Sequence, residues 1–294
     1  MEISKVGVLG CGLMGHGITQ ICAQAGWDVV VREVSQDKLD AGVGKIEKQL
    51  SRAVEKGKME QGDADAVRGR IQGTLDYADL AECDLVIEAI TEDLDQKLEM
   101  WTEVDGVVKE GAFFATNTSS LPVSEQAAAT GRPERFLGLH FFNPAQVMPL
   151  LEVVRAEGTG DDAYDLGFEL GKELGKTTVA AGDNRGFIVN RLLVPYMLDA
   201  IRALEQGVGS IEDIDTGMKA GASHPMGPLT LADFVGLDTL VSIGDVMHDA
   251  YGEQRFAPPE TVKKLVEQGN YGRKSGRGFY DYSGEKPVPV DPGL

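Results

Sequence analysis

Residues Lys5–Leu9 constrain this chain more than any other stretch. The run KVGVL is short, apolar and β-branched. It stops at Gly10-Cys11-Gly12-Leu13-Met14-Gly15, after which Ile18, Ile21, Cys22 and Ala25 recur at helical spacing. A second apolar run, residues 29–31, ends on Arg32-Glu33 and completes a compact βαβ pattern. In a glycine turn so placed, Gly10 permits the sharp reversal, Gly12 lets backbone N–H groups approach a pyrophosphate, and Gly15 permits close helix packing. The positive end of the helix then favours an anion. Glu33 stands roughly 20 residues further on, where a carboxylate accepts hydrogen bonds from ribose hydroxyls and repels a 2′-phosphate. These residues point to a dinucleotide, NAD rather than NADP, although a guanidinium at Arg32 would suit a 2′-phosphate.

The alternation continues. Strand patterns fall at residues 85–89, 113–116, 136–139 and 151–154, and helical patterns at 96–108 and 124–129. Strands alternating with helices imply a largely parallel, doubly wound, Rossmann-type sheet. Residues 35–70 are highly charged, yet Leu39, Val43, Ile46, Leu50 and Val54 keep a spacing of three or four. This predicts amphipathic helices projecting from the sheet, interrupted at Gly57 and Gly62. Beyond the small, polar residues 183–186 helical patterns dominate, at 188–206, 211–220, 229–251 and 259–268. The expected organisation is an α/β nucleotide-binding domain over residues 1–184 and an all-α domain over 185–294. A Gly/Pro-rich tail from Lys274 should wrap the surface. A chain of 294 residues has material for both cores.

Charge and cysteine usage exclude several functions. Against 28 Lys+Arg stand 47 Asp+Glu, a formal net charge of −19, so the long-range field disfavours nucleic acid. A small anion remains admissible where local cations or a helix N-terminus receive it. Cys11, Cys22 and Cys83 form no CxxC pair and read as small buried residues of a reducing compartment. Nothing resembles a signal peptide or a membrane span, so a soluble cytoplasmic protein is expected.

Two ionisable residues sit where strands are otherwise apolar. His140 ends one run (LGLH), and Glu152 lies inside another (LEVV). A carboxylate buried without a partner destabilises a fold, so Glu152 needs a nearby donor. The intervening loop, with Asn143-Pro144 and Pro149, allows the two strands to lie adjacent and set Glu152 against the His140 imidazole. The pair has a plain use: the carboxylate fixes the tautomer while the free ring nitrogen takes a hydroxyl proton as hydride leaves the same carbon, without metal. The polar turn 117–122 (NTSSLP) directly follows a strand, at the edge where such sheets gather ligands, and its hydroxyls can hold a substrate oxygen. Asn190 is the one amide in the apolar opening turn of the second domain and is placed to close the cleft. His16 caps or packs beside the glycine turn, and His224 and His248 show no carboxylate pairing.

The blocks GCGLMGHG, NTSSL, HFFNP, GFIVNR, HPMGP, GLD and KSGRGFY, in this order over nearly the whole chain, resemble the 3-hydroxyacyl-CoA dehydrogenase family, especially its bacterial 3-hydroxybutyryl-CoA members. The resemblance implies His140 as acid/base, Glu152 as its orienting partner, and Ser119 and Asn190 as groups on the substrate oxygen. It implies backbone contacts to NAD from Leu13 and Met14, and further NAD contacts from Glu33, Ala89, Glu92, Lys97, Asn117, Ser119, Asn143 and Lys274. For the acyl-CoA substrate it implies Lys56 and Gln49 on the helical excursion, with Arg52 and Lys58 adding local positive charge, and Ser119 at the acyl end. Glu33 and Arg185 depart from the family's usual Asp and Pro, and Arg185 should make the interdomain turn less rigid. Family members dimerise, which implies a homodimer through the helical domain, with Leu231, Phe234, Val235 and Leu240 on the shared face. The alternatives are a dehydrogenase of a free 3-hydroxy acid or sugar acid, and a non-catalytic, crystallin-like NAD-binding protein.

Overall fold

The structure is a computed structural model that describes residues 3–290, and its contacts divide them into one unit ending at Phe187 and another beginning at Ile188. The first unit begins β1 (Lys5–Leu9), α1 (Gly15–Gln24), β2 (Asp28–Arg32), α2 (Gln36–Glu55), α3 (Gln61–Gly69), β3 (Ile71–Thr74), β4 (Leu85–Glu88) and α4 (Leu94–Asp105). It continues β5 (Phe113–Thr116), α5 (Val123–Ala128), β6 (Phe136–Phe141), β7 (Leu150–Arg155), α6 (Asp161–Glu173) and β8 (Thr177–Gly182). The strands form one sheet in the order β3-β2-β1-β4-β5-β6-β7-β8, with every neighbouring pair parallel except β6 and β7.

The central strands read as unbroken apolar runs because both faces are covered. Val29 and Val31 join one core with Ile18, Ile46 and Leu166, while Val30 joins the other with Trp101 and Phe114, the period-two alternation of a strand. The chain moves outward from β1 to β2 and β3, then returns to β4 on the other side of β1. That reversal opens a crevice at the carboxyl ends of the strands, the usual ligand position of such sheets.

Three elements lacked a sequence signal for physical reasons. β3 and β8 are the sheet's edges, only partly buried, so they need no continuous apolar run. α6 buries Gly167 and Gly171 against the sheet, and a Cβ at Gly167 would come within 2.6 Å of Val153, so small residues dilute its apolar stripe. Gly57, with φ +63°, does end the excursion's first helix, but Gly62 lies inside the first turn of α3.

The second unit contains α7 (Val189–Glu205), α8 (Ile211–Gly221), α9 (Pro228–Val235), α10 (Leu237–Tyr251), α11 (Glu260–Glu267) and a ribbon of β9 (Tyr280–Asp281) and β10 (Val288–Pro289). The single helix expected over 229–251 is two, broken at Gly236, whose φ of 102° lies outside helical space. Leu240, expected on a dimer face, is fully buried in this unit's own core, whereas Phe234 is exposed. The tail is likewise not confined to the surface: Phe279 and Tyr280 are buried, and the Asp233 carboxylate accepts their backbone N–H groups at 2.9 Å each. No helix among the described residues is long and apolar enough to cross a membrane.

Candidate active site

At the switch point the glycines make a cradle. Gly10 has φ +90°, and a Cβ there would lie 2.7 Å from the Ala89 carbonyl; a Cβ at Gly15 would collide with the Gly10 carbonyl and approach Ala89. Nothing lies within 4 Å of a Cβ placed at Gly12, so that side of the turn is open. Leu13 is exposed and Met14 packs against the core. Glu33 is buried at the end of β2, where its two carboxylate oxygens accept the Cys11 N–H at 2.7 Å and the Val34 N–H at 3.0 Å. The Arg32 guanidinium lies 4.0 Å over the Tyr77 ring, and its Nε donates to the Leu75 carbonyl. A turn tight at Gly10 and Gly15 and open at Gly12, with an anion fixed beyond it, fits a non-phosphorylated dinucleotide ribose.

The antiparallel pairing of β6 and β7 sets His140 directly opposite Glu152, and the His140 Nδ1 lies 2.6 Å from Glu152 Oε2. Both are buried. An ionised carboxylate only accepts, so Nδ1 carries the proton and the neutral ring leaves a lone pair on Nε2. That Nε2 faces the Ser119 hydroxyl at 3.2 Å. Phe142 and Phe187 pack on the imidazole at ring separations of 4.6 and 5.4 Å. The Asn117 side-chain oxygen accepts the Phe141 N–H at 3.0 Å, tying the ends of β5 and β6 together, and the exposed Asn143 follows two residues beyond β6.

The turn bearing Ser119 is fastened by a network whose central acid, Glu88, sequence reasoning missed. Glu88, fully buried at the end of β4, accepts from Lys97 at 2.5 Å, the Thr116 hydroxyl at 2.6 Å and the Ile90 N–H at 2.7 Å. Lys97 is buried too, and its ammonium also reaches Glu92 at 3.2 Å. Glu92 in turn accepts the Thr118 hydroxyl and the N–H groups of Ser119 and Ser120. Burial works to raise the Glu92 pKa, but the Lys97 charge, the Thr118 hydroxyl and the Ser119 N–H outweigh it and hold the group below the usual range. The Asp183 carboxylate accepts the Val123 and Ser124 N–H groups, and Arg185 donates to the Ser120 carbonyl, so the residue-185 turn is tied down rather than loosened. A charged residue inside an apolar strand was the available signal for Glu88, the same one that singled out Glu152.

A serine, histidine and glutamate in line also suggest acyl transfer. Here, however, the Ser119 and Ser120 N–H groups are committed to a carboxylate, and an oxyanion would need such donors free. The arrangement suits proton transfer at Nε2.

The remaining candidates stand on other elements. Gln49, on α2, is half-buried, with both ends of its amide bonded inside the unit. Lys56 caps the carboxyl end of the same helix and is exposed, as are Arg52 and Lys58. In the second unit, Asn190 stands in the first turn of α7, and Lys274 pairs with Asp238 at 2.5 Å.

A Rossmann-type sheet with a hydrogen-bonded Ser–His–Glu line at its carboxyl edge suits an NAD-linked oxidoreductase. The sequence profile of the 3-hydroxyacyl-CoA dehydrogenase NAD binding domain matches residues 5–184, and that of the family's C-terminal domain matches 186–282. The chain belongs to the 3-hydroxyacyl-CoA dehydrogenase family. It is 45% identical to a 3-hydroxybutyryl-CoA dehydrogenase of Bradyrhizobium diazoefficiens over 98% of each chain. It is 47% identical to one of Mycobacterium tuberculosis, covering 95% of this chain and 99% of that one. The crystal structure of an (S)-3-hydroxybutyryl-CoA dehydrogenase from Ralstonia eutropha superposes with a TM-score of 0.91 at 40% identity, over 96% of this chain and all of that one.

Proposed function

We propose that the chain interconverts (3S)-3-hydroxybutyryl-CoA and 3-oxobutyryl-CoA (acetoacetyl-CoA), with NAD as hydride carrier. The observation that carries this reading is the hydrogen-bonded line Ser119–His140–Glu152 at the carboxyl edge of an NAD-binding sheet. Bound NAD supplies the hydride acceptor for oxidation and the hydride donor for reduction. The Gly10–Gly15 turn, Leu13 and Met14 hold its pyrophosphate and Glu33 its ribose. Ala89, Glu92, Lys97, Asn117, Ser119, Asn143 and Lys274 complete the nucleotide site.

In the oxidation, His140 Nε2 takes the proton of the 3-hydroxyl, and Glu152 stabilises the imidazolium that forms. In the reduction, the same nitrogen returns a proton to the oxygen, while the Ser119 hydroxyl and the Asn190 amide hydrogen-bond the developing charge. Lys56 and Gln49 meet the coenzyme A portion, where Arg52 and Lys58 offset the chain's acidity. The second domain forms a homodimer; support comes from its exposed Phe234 and Leu192. A cytoplasmic setting fits three free, buried cysteines, whose thiols burial pushes up to about 12 for Cys11 and Cys22 and about 11 for Cys83.

The test follows NADH absorbance during reduction of acetoacetyl-CoA. His140→Gln should cut turnover by about 10²–10⁴-fold while leaving NADH affinity unchanged, and undiminished activity removes His140 from the mechanism. Lys56→Ala should raise the KM for acetoacetyl-CoA; an unchanged KM favours a free hydroxy acid as substrate.

A further inference from the structure

His16 stands in the first turn of α1, and its Nδ1 lies 2.7 Å from the Gly12 carbonyl oxygen. A carbonyl only accepts, so Nδ1 is the donor. The backbone bond from the His16 N–H to the same oxygen is long, at 3.4 Å, so the imidazole supplies the short bond that fixes this carbonyl. Across a planar trans peptide, C=O and N–H point in opposite directions. Fixing the Gly12 carbonyl toward His16 therefore turns the Leu13 N–H the other way. Nothing is packed on the Cβ side of Gly12.

The imidazole is itself braced. With Nδ1 protonated, Nε2 accepts, and the Gln49 side-chain amide donates to it at 3.1 Å. The Gln49 oxygen then accepts from the Gln146 amide at 2.8 Å. All the bonds run in one direction, so no pair of donors or acceptors is set face to face. Gln146 packs against residue 17, where a Cβ would stand 2.5 Å from its side-chain oxygen. The backbone on either side of Gln146 is pinned by Lys176, whose ammonium donates to the Ala145 carbonyl at 2.6 Å and the Met148 carbonyl at 2.9 Å. The brace thus joins the glycine turn, the α2 excursion and the loop that follows the His140 strand.

We propose that His16 is a positioning residue of the nucleotide site: it locks the Gly12–Leu13 peptide so that the Leu13 N–H serves the pyrophosphate, and Gln49 and Gln146 hold it in register. This rests on the assignment of the glycine turn to NAD. It gives Gln49 a role in nucleotide affinity that a contact with coenzyme A would not.

The experiment is a fluorescence titration of the full-length protein with NADH, alongside KM and kcat for NADH. His16→Ala should weaken NADH binding about tenfold, the worth of one well-placed hydrogen bond, and raise the KM while kcat at saturation holds. His16→Asn keeps an amide donor at the position of Nδ1 and should bind within about threefold of wild type; His16→Gln, whose donor sits one bond further out, should behave like His16→Ala. If His16→Ala folds poorly, the Asn and Gln variants carry the contrast alone. Gln49→Leu should weaken NADH binding in the wild-type background and change nothing in the His16→Asn background, which lacks the Nε2 acceptor. Wild-type affinity in His16→Ala or His16→Gln, or His16→Asn as weak as His16→Ala, overturns the proposal. An equal effect of Gln49→Leu in both backgrounds overturns the brace. Wild-type protein that does not bind NADH overturns the nucleotide assignment, and this inference with it.

Discussion

The two units bury carboxylates in different company. In the first, Glu88 and Glu152 are fully buried, and each meets a basic side chain, Lys97 and His140. In the second, Asp215 and Asp233 are as deeply buried but accept backbone N–H groups and phenol hydroxyls. Asp215 takes Leu229, Thr230 and the Tyr280 hydroxyl, and Asp233 takes Phe279, Tyr280 and the Tyr282 hydroxyl. A carboxylate that holds a cation orients a side chain that can move a proton or place a charge. One that holds N–H groups pins a segment of chain. Glu88 and Glu152 in the first unit aim side chains, whereas Asp215 and Asp233 in the second staple the start of α9 and the C-terminal strap.

The largest expected effect comes from taking the cation away. Lys97→Met leaves Glu88 charged and buried without its counterion, a loss of about 3–5 kcal/mol. It should lower the urea midpoint of the first unit's transition by the corresponding amount. The double variant Lys97→Met/Glu88→Gln should recover part of the loss, because the uncompensated charge is gone. If both variants unfold at the wild-type midpoint, the distinction between the two kinds of buried acid fails.

Asp233→Asn breaks the other kind. The amide oxygen can still accept one N–H, but its NH₂ group must then face a second donor from Phe279 or Tyr280, a cost of about 1–3 kcal/mol. A Cβ at Gly278 would overlap the Asp233 carboxylate, so the strap has no slack to rearrange around a new group. The expected readout is faster proteolysis within residues 272–282 and a lower midpoint for the second unit. A larger drop than for Lys97→Met would reverse the ranking.

These contrasts were only partly legible in the amino-acid sequence. The apolar run, glycine turn and Glu33 announced the sheet's switch point because parallel strands buried on both faces, and a backbone that must approach a ligand, leave few residue choices. His140 and Glu152 were readable as charges inside apolar strands. The backbone partners of Asp215 and Asp233 were not, because N–H groups carry little residue identity: any residue but proline at 279 and 280 supplies them. Lys97 was singled out only by the family resemblance; taken alone it would pass as a solvated lysine, since its burial depends on Glu88 and Glu92 converging from two other segments. Gly236 looked like one more residue in a helical pattern, and only its backbone angle shows the break.

The smallest effect gives the sharpest version of the comparison, since it turns on sign. In the first unit, partial burial works to raise the Asp84 pKa, but hydrogen bonds from the Lys109 ammonium and the Ser4 and Lys5 N–H groups hold it down to about 2. In the second, burial without a cation pushes Asp233 up to about 6, against the opposing bonds from Phe279, Tyr280 and Tyr282. A depressed group contributes stability above its ordinary value of 3.8 and loses it as the pH falls toward about 2. A raised group contributes most below 3.8 and loses that contribution as the pH climbs through about 6. Asp84→Asn, at a partly exposed ion pair, should therefore cost under about 1 kcal/mol at neutral pH, and that deficit should fade toward about pH 2. The deficit of Asp233→Asn should instead grow on acidification from about pH 7 to about pH 4. Thermal unfolding of both variants beside wild type at about pH 7, 4 and 3 measures the two slopes, and deficits that run in the same direction would show that the two units bury acid alike.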